Sequence, residues 1–563
     1  MPFGPTHNLI RFISDWALSS YFGTIVSVNE DQVPRSGPTI VASNHWNMII
    51  DPALLSTRIT FRRKLHYWSK NTLFSNPIAR FILIDSGNIP VDRTTKNNQL
   101  LFKGTFDVLK LGECIALFPE GTSYTQPKII QIKDGIGWTA LEYAKNLRLT
   151  GSKLSGEITS AGQREASEPV RDVKIVICGI NYTDKTAYRS SVQLEYAQTI
   201  ELDQDSISEF LTPGEEKIVV KRLIKQIEIG LRSVTVNADD WETLWCARII
   251  REIIWDDGIG PLNRYRDFTQ RLVDVLSLRE NPRILKLKTN LIKYHSQLST
   301  LNTSHRIFSS VYPDRDSIGT RNFIEGLRLF LYWPFFLIPF LLHLPIYAAG
   351  YLGSLIQAQE IESSAQNKIV VSILIGLITL STYTKLLSSY IQKISTDTIN
   401  HNRGRNLPMS NLFESVFSLS ISLIILILIH QLHNQLIDKS FESFNRLKLL
   451  LKLDYYRKNR EPFRRKSGGA DDDKDDEDKG LSIDERLWKY REACEDGWKE
   501  LIVNLNIRPK SHNDRDKKED EDDDDDDDDD TVDVKEEQSE DSTGRKIDDY
   551  EFIKQKIQVI INY

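Results

Sequence analysis

Between Ser36 and about Asn302, short apolar runs alternate with stretches of helical spacing. PTIVAS, NPIARFILIDSGNIPV, ECIALFPEG, VKIVICGINY and SVQLEYA read as strand-like runs, since brief apolar segments bounded by turn residues suit strands. Residues 206–300 read mainly as helix, with ETLWCARIIREII spacing its apolar residues for one helical face. This alternation predicts an α/β domain whose chemistry lies in its earlier half.

Beyond the domain the pattern changes. Arg328 and Glu360 bracket LFLYWPFFLIPFLLHLPIYAAGYLGSLI, which carries no acidic or basic residue other than His343 and exceeds the roughly 20 residues a spanning helix needs. Pro334, Pro339 and Pro345 predict a kinked helix or a re-entrant hairpin there. KIVVSILIGLITLSTY from Lys368 and SVFSLSISLIILILIHQL from Ser415 are shorter candidates. Lys385, Lys393, Arg403 and Arg405 precede the third segment, and Lys439, Arg446, Lys448 and Lys452 follow it, so both of its flanks read as cytosolic. Two spans plus a third segment that dips in or lies along the surface would keep domain and tail on one side; three simple spans is the alternative.

At the other end, Leu9, Ile10, Phe12, Ile13, Trp16 and Leu18 give a helical apolar face suited either to a membrane interface or to the domain's own core. Residues 1–28 lack the basic start, continuous apolar run and cleavage site of a signal peptide. The expected organisation is a membrane-apposed amphipathic N-terminus over residues 1–35, an α/β domain over 36–310, a membrane region over 320–435 and a charged, largely disordered cytosolic tail over 436–563.

Charge sharpens that division. Residues 461–563 hold 19 Lys and Arg against 36 Asp and Glu, a balance of −17, so residues 1–460 carry +10 within a chain of net charge −7. A basic body suits phosphorylated substrates, coenzyme A or an anionic membrane face, while no recognition motif points to nucleic acid. The acidic blocks DDDKDDEDK from Asp471 and the run Asp522 to Asp530 repel themselves and suit a solvated tail able to meet basic partners. LSIDERLWKYREACEDGWKELIVNL, between them, has the spacing of a small docking helix. Cys114, Cys178, Cys246 and Cys494 are scattered, which excludes a CxxC framework and suits a reducing compartment, and no cluster has the spacing of metal ligands.

Candidate chemistry begins at SNHWNMIIDP, residues 43–52. His45 and Asp51 are six apart, about 240° on a regular helix, so only a bend brings them together. The flanks supply one: a strand before, and Asp51-Pro52 as N-cap and first helical residue after. Alone, the segment also suits a simple cap beside a core histidine. Three further stretches extend it: GNIPVDR, with Gly87 and Arg93; FPEGTS, with Glu120, Gly121, Thr122 and Ser123; and the strand VKIVICGINY, which contains Gly179.

In order and spacing, over about residues 38–197, these blocks resemble the glycerolipid acyltransferase family. KIIQIKDGIGWTALEYA, YRSSV at 188–192 and VTVNA at 234–238 look more like its fungal-type glycerol-3-phosphate/dihydroxyacetone-phosphate branch, over roughly residues 36–260. Two departures stand out: five residues separate His45 from Asp51, as in the fungal branch, where most of the family has four, and Ile177 stands where the last block usually has proline.

The resemblance implies an α/β acyltransferase domain followed by transmembrane helices and a disordered acidic tail, in the endoplasmic reticulum membrane with the domain facing the cytosol. Its reaction would be acyl-CoA-dependent acylation of glycerol 3-phosphate, with dihydroxyacetone phosphate as a further acceptor, at a membrane-lipid surface and with no cofactor. His45 would be the general base, because an imidazole with pKa of about 6.5 is matched to neutral pH, and Asp51 would hold its tautomer. The acceptor hydroxyl attacks the thioester directly, so no acyl-enzyme is expected. Arg93 would take the acceptor phosphate through its planar fork. Glu120 and Gly121 would flank the acceptor, and Gly87, Thr122, Ser123, Lys133 and Arg189 complete the expected binding set, with surface salt bridging as the alternative for Lys133 and Arg189. Two rivals remain: a lysophosphatidic acid acyltransferase, and a non-catalytic lipid-binding or scaffold protein.

Overall fold

The computed structural model describes residues 3–91, 99–154, 172–255, 260–278, 280–311, 318–356, 360–402, 411–459, 481–504 and 557. Among these residues eight strands form one sheet: β1 Thr24–Val28, β2 Thr39–Ser43, β3 Leu65–Lys70, β4 Ile89–Val91, β5 Cys114–Leu117, β6 Lys174–Tyr182, β7 Ser191–Tyr196 and β8 Ile200–Glu201. Their order is β1-β7-β6-β2-β5-β3-β4, with β8 paired to β6. β2 is central, parallel to β5 on one side and β6 on the other, while β6 runs antiparallel to β7 and β8.

Side chains alternate across this sheet, and both faces are covered. Ile40 and Ala42 of β2, Ile115 and Leu117 of β5, and Ile175 and Ile177 of β6 enter one core. Val41, Cys114, Ala116, Val176 and Cys178 enter the other. Two-sided burial is why these strands read as continuous apolar runs. Ile177 lies wholly buried inside β6, beside the glycine Gly230.

The helices described before residue 237 are α1 Pro5–Tyr21, α2 Ile50–Arg58, α3 Pro77–Asp85, α4 Gln99–Lys110, α5 Gly135–Leu154, α6 Gln204–Phe210 and α7 Glu216–Val234. In helix α1, Leu18 and Tyr21 join the core with α2, while Leu9, Phe12 and Trp16 are exposed. The run NPIARFILID is a helix, α3, rather than a strand. Asn76 caps it by accepting from the N–H groups of Ile78 and Ala79, and Pro77 occupies its first turn. Of the longer run NPIARFILIDSGNIPV, only the last residues, Ile89–Val91, pair in the sheet.

The chain then forms a second compact unit, residues 237–318 together with 448–563, whereas residues 319–447 belong with the first unit. The second unit contains α8 Trp241–Ile254, α9 Tyr265–Leu276, α10 Pro282–Leu301 and α11 His305–Val311. The remaining helices are α12 Ile318–Leu355, α13 Ile361–Asn402, α14 Asn411–Asn459 and α15 Ile483–Asn504. α15, the docking helix of the sequence, packs on α10 with Leu487, Cys494 and Trp498 buried.

Among the described residues, three stretches are long and apolar enough to cross a membrane: Pro334–Leu355, Ile361–Ser395 and Glu414–Tyr456. The three prolines lie inside one continuous helix, α12, and not in a hairpin. The third segment forms the long helix α14, whose length and composition suffice for a span. The acidic blocks at 471–479 and 522–530 lie outside the described residues.

Packing around β6 is tight enough to test. A Cβ at Gly179 would sit 2.0 Å from the Val234 carbonyl oxygen at the end of α7, and a backbone atom cannot swing aside. Gly179→Ala should lower stability by about 3 kcal/mol, read as a clear drop in melting temperature of the full chain in detergent; an unchanged transition would contradict this packing.

Candidate active site

Parallel pairing sets the ends of three strands side by side. Ala42 of β2 is opposite Leu117 of β5, and Ser43 is opposite Cys178 of β6. The residues just past those ends are His45 and Glu120, and β6 runs on to Tyr182. In open α/β sheets the carboxyl ends of parallel strands are where ligand clefts form.

The chain bends sharply after β2. Asn44 continues the sheet with its side chain, donating to the Ile180 carbonyl at 3.0 Å and accepting from the Ile180 N–H at 2.7 Å. Met48 takes a positive φ of 31°, and Ile50 N–H donates to the Asn47 carbonyl at 2.8 Å. Helix α2 therefore starts at Ile50, and Asp51 lies within its first turn instead of capping it.

That bend closes the six-residue gap. His45 Nδ1 lies 2.9 Å from Asp51 Oδ2. The same oxygen accepts from the Asn47 N–H at 2.7 Å, and Oδ1 accepts from the Tyr182 hydroxyl at 2.5 Å. Asp51 is wholly buried, yet three donors surround its carboxylate, which is the condition for keeping a charge away from water. Burial, with Asp51 beside it, pushes the Tyr182 hydroxyl well above its ordinary range, so it remains a donor. The His45 side chain is 18% exposed and its ring stacks on Phe118 at 4.1 Å. With Nδ1–H directed at Asp51, Nε2 is the basic nitrogen, and it has no partner among the described residues.

Glu120 is buried beneath the same turn. Its Oε2 accepts from the His45 backbone N–H at 3.0 Å and its Oε1 from the Tyr124 hydroxyl at 2.8 Å. Burial pushes its pKa up to about 8, with the Asp51 charge adding to the rise and both donors opposing it. Gly121 follows with φ 77°, a left-handed turn that favours glycine. A Cβ there would meet Lys133 Nζ at 2.5 Å, so the lysine stem lies over the glycine. Thr122 is exposed and its hydroxyl donates to the Ser123 carbonyl at 3.3 Å.

The other expected residues lie elsewhere. Gly87 closes helix α3 with φ 81°, and its carbonyl meets His66 Nδ1 at 2.7 Å. Arg189 directs Nε and Nη2 at the two Asp438 oxygens, both at 2.5 Å, and Nη1 at the Ser20 carbonyl at 3.2 Å; its contacts are those of a tether between distant segments. Arg93 lies outside the described residues. Sequence reasoning passed over Tyr182, Tyr124, Asn47 and Lys185. A tyrosine ending a strand of buried apolar residues, and another directly after FPEGTS, were the available signals.

Neither nearby thiol has the character of a nucleophile. Burial pushes Cys114 up to about 11 and raises Cys178 further. Among the described residues no three His, Cys, Asp or Glu side chains cluster as metal ligands.

Residues 24–150 match the family model described as Acyltransferase. Over 207 residues, 36% of this chain, it is 28% identical to glycerol-3-phosphate O-acyltransferase 2 of Saccharomyces cerevisiae, and over 205 residues 27% identical to glycerol-3-phosphate O-acyltransferase 1 of the same yeast, again 36% of this chain. An uncharacterized acyltransferase of Schizosaccharomyces pombe is 25% identical over 222 residues, 39% of this chain and 30% of that protein. The matched stretch spans about a quarter of the length of the two budding-yeast proteins, 25% and 24%.

Glu120 gives this site a pH signature. Its folded pKa of about 8 stands above the ordinary 4.5, so between those values the folded chain holds a proton that the unfolded chain releases. Stability from this group is therefore present at low pH and lost as pH rises through about 8. Melting temperature should fall between about pH 5 and pH 8, and fall less steeply in Glu120→Gln; parallel slopes would contradict the raised pKa.

Proposed function

We propose that this chain, which carries an acyltransferase domain over residues 24–150, transfers an acyl group from acyl-CoA to the hydroxyl of glycerol 3-phosphate, giving lysophosphatidate. The observation that carries the reading is the His45–Asp51 pair, 2.9 Å apart, with the second imidazole nitrogen open at the ends of β2, β5 and β6. Nε2 takes the hydroxyl proton as the alcohol oxygen attacks the thioester carbonyl. The tetrahedral intermediate collapses, the C–S bond breaks, and the imidazolium returns the proton to the departing thiolate. Asp51 stabilises the imidazolium without itself being protonated.

No serine or cysteine needs to carry the acyl group, and the inert thiols of Cys114 and Cys178 agree with direct transfer. Glu120 and Gly121 border the acceptor, and Arg93, with Lys133, Thr122 and Ser123 as second contacts, supplies its phosphate contacts. The two budding-yeast relatives are named for glycerol 3-phosphate, which favours that acceptor over lysophosphatidate. Dihydroxyacetone phosphate offers the same hydroxyl beside the same phosphate and is the second acceptor. The intact His45, Asp51 and Glu120 geometry argues against a scaffold that only binds lipid.

A membrane location follows the chemistry. Acyl-CoA and lysophosphatidate are amphipathic, and a site beside helices of spanning length keeps the acyl chain in apolar surroundings during transfer. The cytosolic face of the endoplasmic reticulum, where acyl-CoA and glycerol 3-phosphate meet, is the proposed setting.

The membrane fraction should consume acyl-CoA with glycerol 3-phosphate, and more slowly or not at all with lysophosphatidate. His45→Ala should lose activity by about 10²–10⁴-fold while still sedimenting with membranes. Substantial residual turnover in that variant, or preferential use of lysophosphatidate, would overturn the assignment.

A further inference from the structure

The start of α13 reaches into the candidate site through Lys185. This lysine lies in the loop between β6 and β7, half-buried, and its Nζ meets the Thr125 hydroxyl at 2.6 Å, the Trp46 carbonyl at 3.0 Å and the Tyr124 carbonyl at 3.4 Å. An ammonium has three N–H donors, and three acceptors here use them all. Lys185 is thus placed to join two loops rather than to hold a substrate phosphate: Trp46 follows His45, and Tyr124 and Thr125 follow the glutamate loop. Its own carbonyl accepts from Asn47 Nδ2 at 3.0 Å, which fastens the bend a second time.

The chain of contacts continues into the membrane helix. The Thr125 hydroxyl donates to Glu362 in the first turn of α13. One turn on, Gln366 Oε1 accepts from the Ile49 N–H at 3.3 Å, inside the bend itself. Lys368 Nζ donates to the Thr186 carbonyl at 2.8 Å, beside Lys185. Ala365 and Ile369, from the same two turns, are buried in the sheet's core with Ile50 and Leu54 of α2. Burial lowers the Lys185 pKa, and Glu362, Asp51 and Asp184 act in the opposite direction.

We propose that Glu362, Thr125 and Lys185 form a positioning relay by which the first turns of α13 fix the His45–Asp51 bend against the Glu120 loop. This rests on the acyl-transfer reading for its catalytic consequence, but the geometry it describes can be measured without turnover. Lys185, Thr125 and Glu362 are positioning residues, acting through His45 and Glu120. The helix that enters the membrane thereby becomes part of the reacting site's frame, because a displacement of about 1 Å at a general base costs on the order of a hundredfold in rate.

The test uses the full chain in lipid nanodiscs, with acyl-CoA and glycerol 3-phosphate for kinetics and backbone hydrogen exchange for structure. Lys185→Met and Thr125→Val should lower kcat by about ten- to a hundredfold, with KM for glycerol 3-phosphate changed less than about threefold, and should speed exchange in residues 43–51 and 120–126. Thr125→Ser, which keeps the hydroxyl, should restore both. Glu362→Ala, at the far end of the relay, gives the same pair of effects and covers the case in which Lys185→Met does not fold. Wild-type kcat in Lys185→Met and Glu362→Ala, or a rise in KM of tenfold or more at constant kcat, would overturn the proposal, the latter by making Lys185 a phosphate ligand. Should the wild type transfer no acyl group, the functional reading fails by itself, and unchanged exchange in the variants then overturns the relay.

Discussion

The structure of this site depends on a carboxylate kept wholly out of water. Asp51 meets that demand with three donors, the His45 ring, the Asn47 N–H and the Tyr182 hydroxyl. An unpaired charge at this depth would be unaffordable, so each partner must be held in place by something larger than itself. Tyr182 is held by β6, Asn47 by the bend, and the bend by Asn44, whose side chain pairs with the backbone of Ile180. Local geometry and sheet topology are thereby one requirement: with Ser43 of β2 paired to Cys178, β6 must run on past that pair to Tyr182 for histidine and tyrosine to converge on one aspartate.

The neighbouring carboxyl is treated differently. Glu120 has two donors where Asp51 has three, and burial raises its pKa to about 8. Two carboxyl groups around one histidine are thus given different surroundings, one ringed by three donors and the other, with two, inclined by burial to keep a proton. Such a division is common where acid–base work is done. Here it lets Glu120 brace the backbone of His45 without placing a second full charge beside Asp51.

Much of this was legible in the chain, for identifiable reasons. PTIVAS, CIAL and VKIVICGINY read as strands because a sheet covered on both faces needs no polar alternation, and His45, Asp51 and Glu120 stood in ordered motifs. The run IARFILID misled because apolar length was weighed ahead of its cap: Asn76 and Pro77 mark a helix start, and α3 leaves Ile78 and Phe81 exposed instead of burying them in the sheet. Asp51 looked like a cap because the bend's own turn, from Asn47 to Ile50, cannot be seen in a list of residues. For Arg189 the salt-bridge alternative holds, and the sequence could not name its partner because Asp438 lies 249 residues away. Lys185 and Glu362 carry no local signal at all, since each acquires meaning only when the membrane helix returns to the sheet.

The most direct test is the steady-state rate of Asp51→Asn with acyl-CoA and glycerol 3-phosphate. The side chain keeps its size, but it loses the charge that fixes the imidazole tautomer and stabilises the imidazolium. The account predicts that kcat falls by about 10³–10⁴-fold while KM for either substrate moves little and the protein still folds. A variant turning over within about tenfold of the wild type would contradict it, since the buried carboxylate would then have no part in the chemistry.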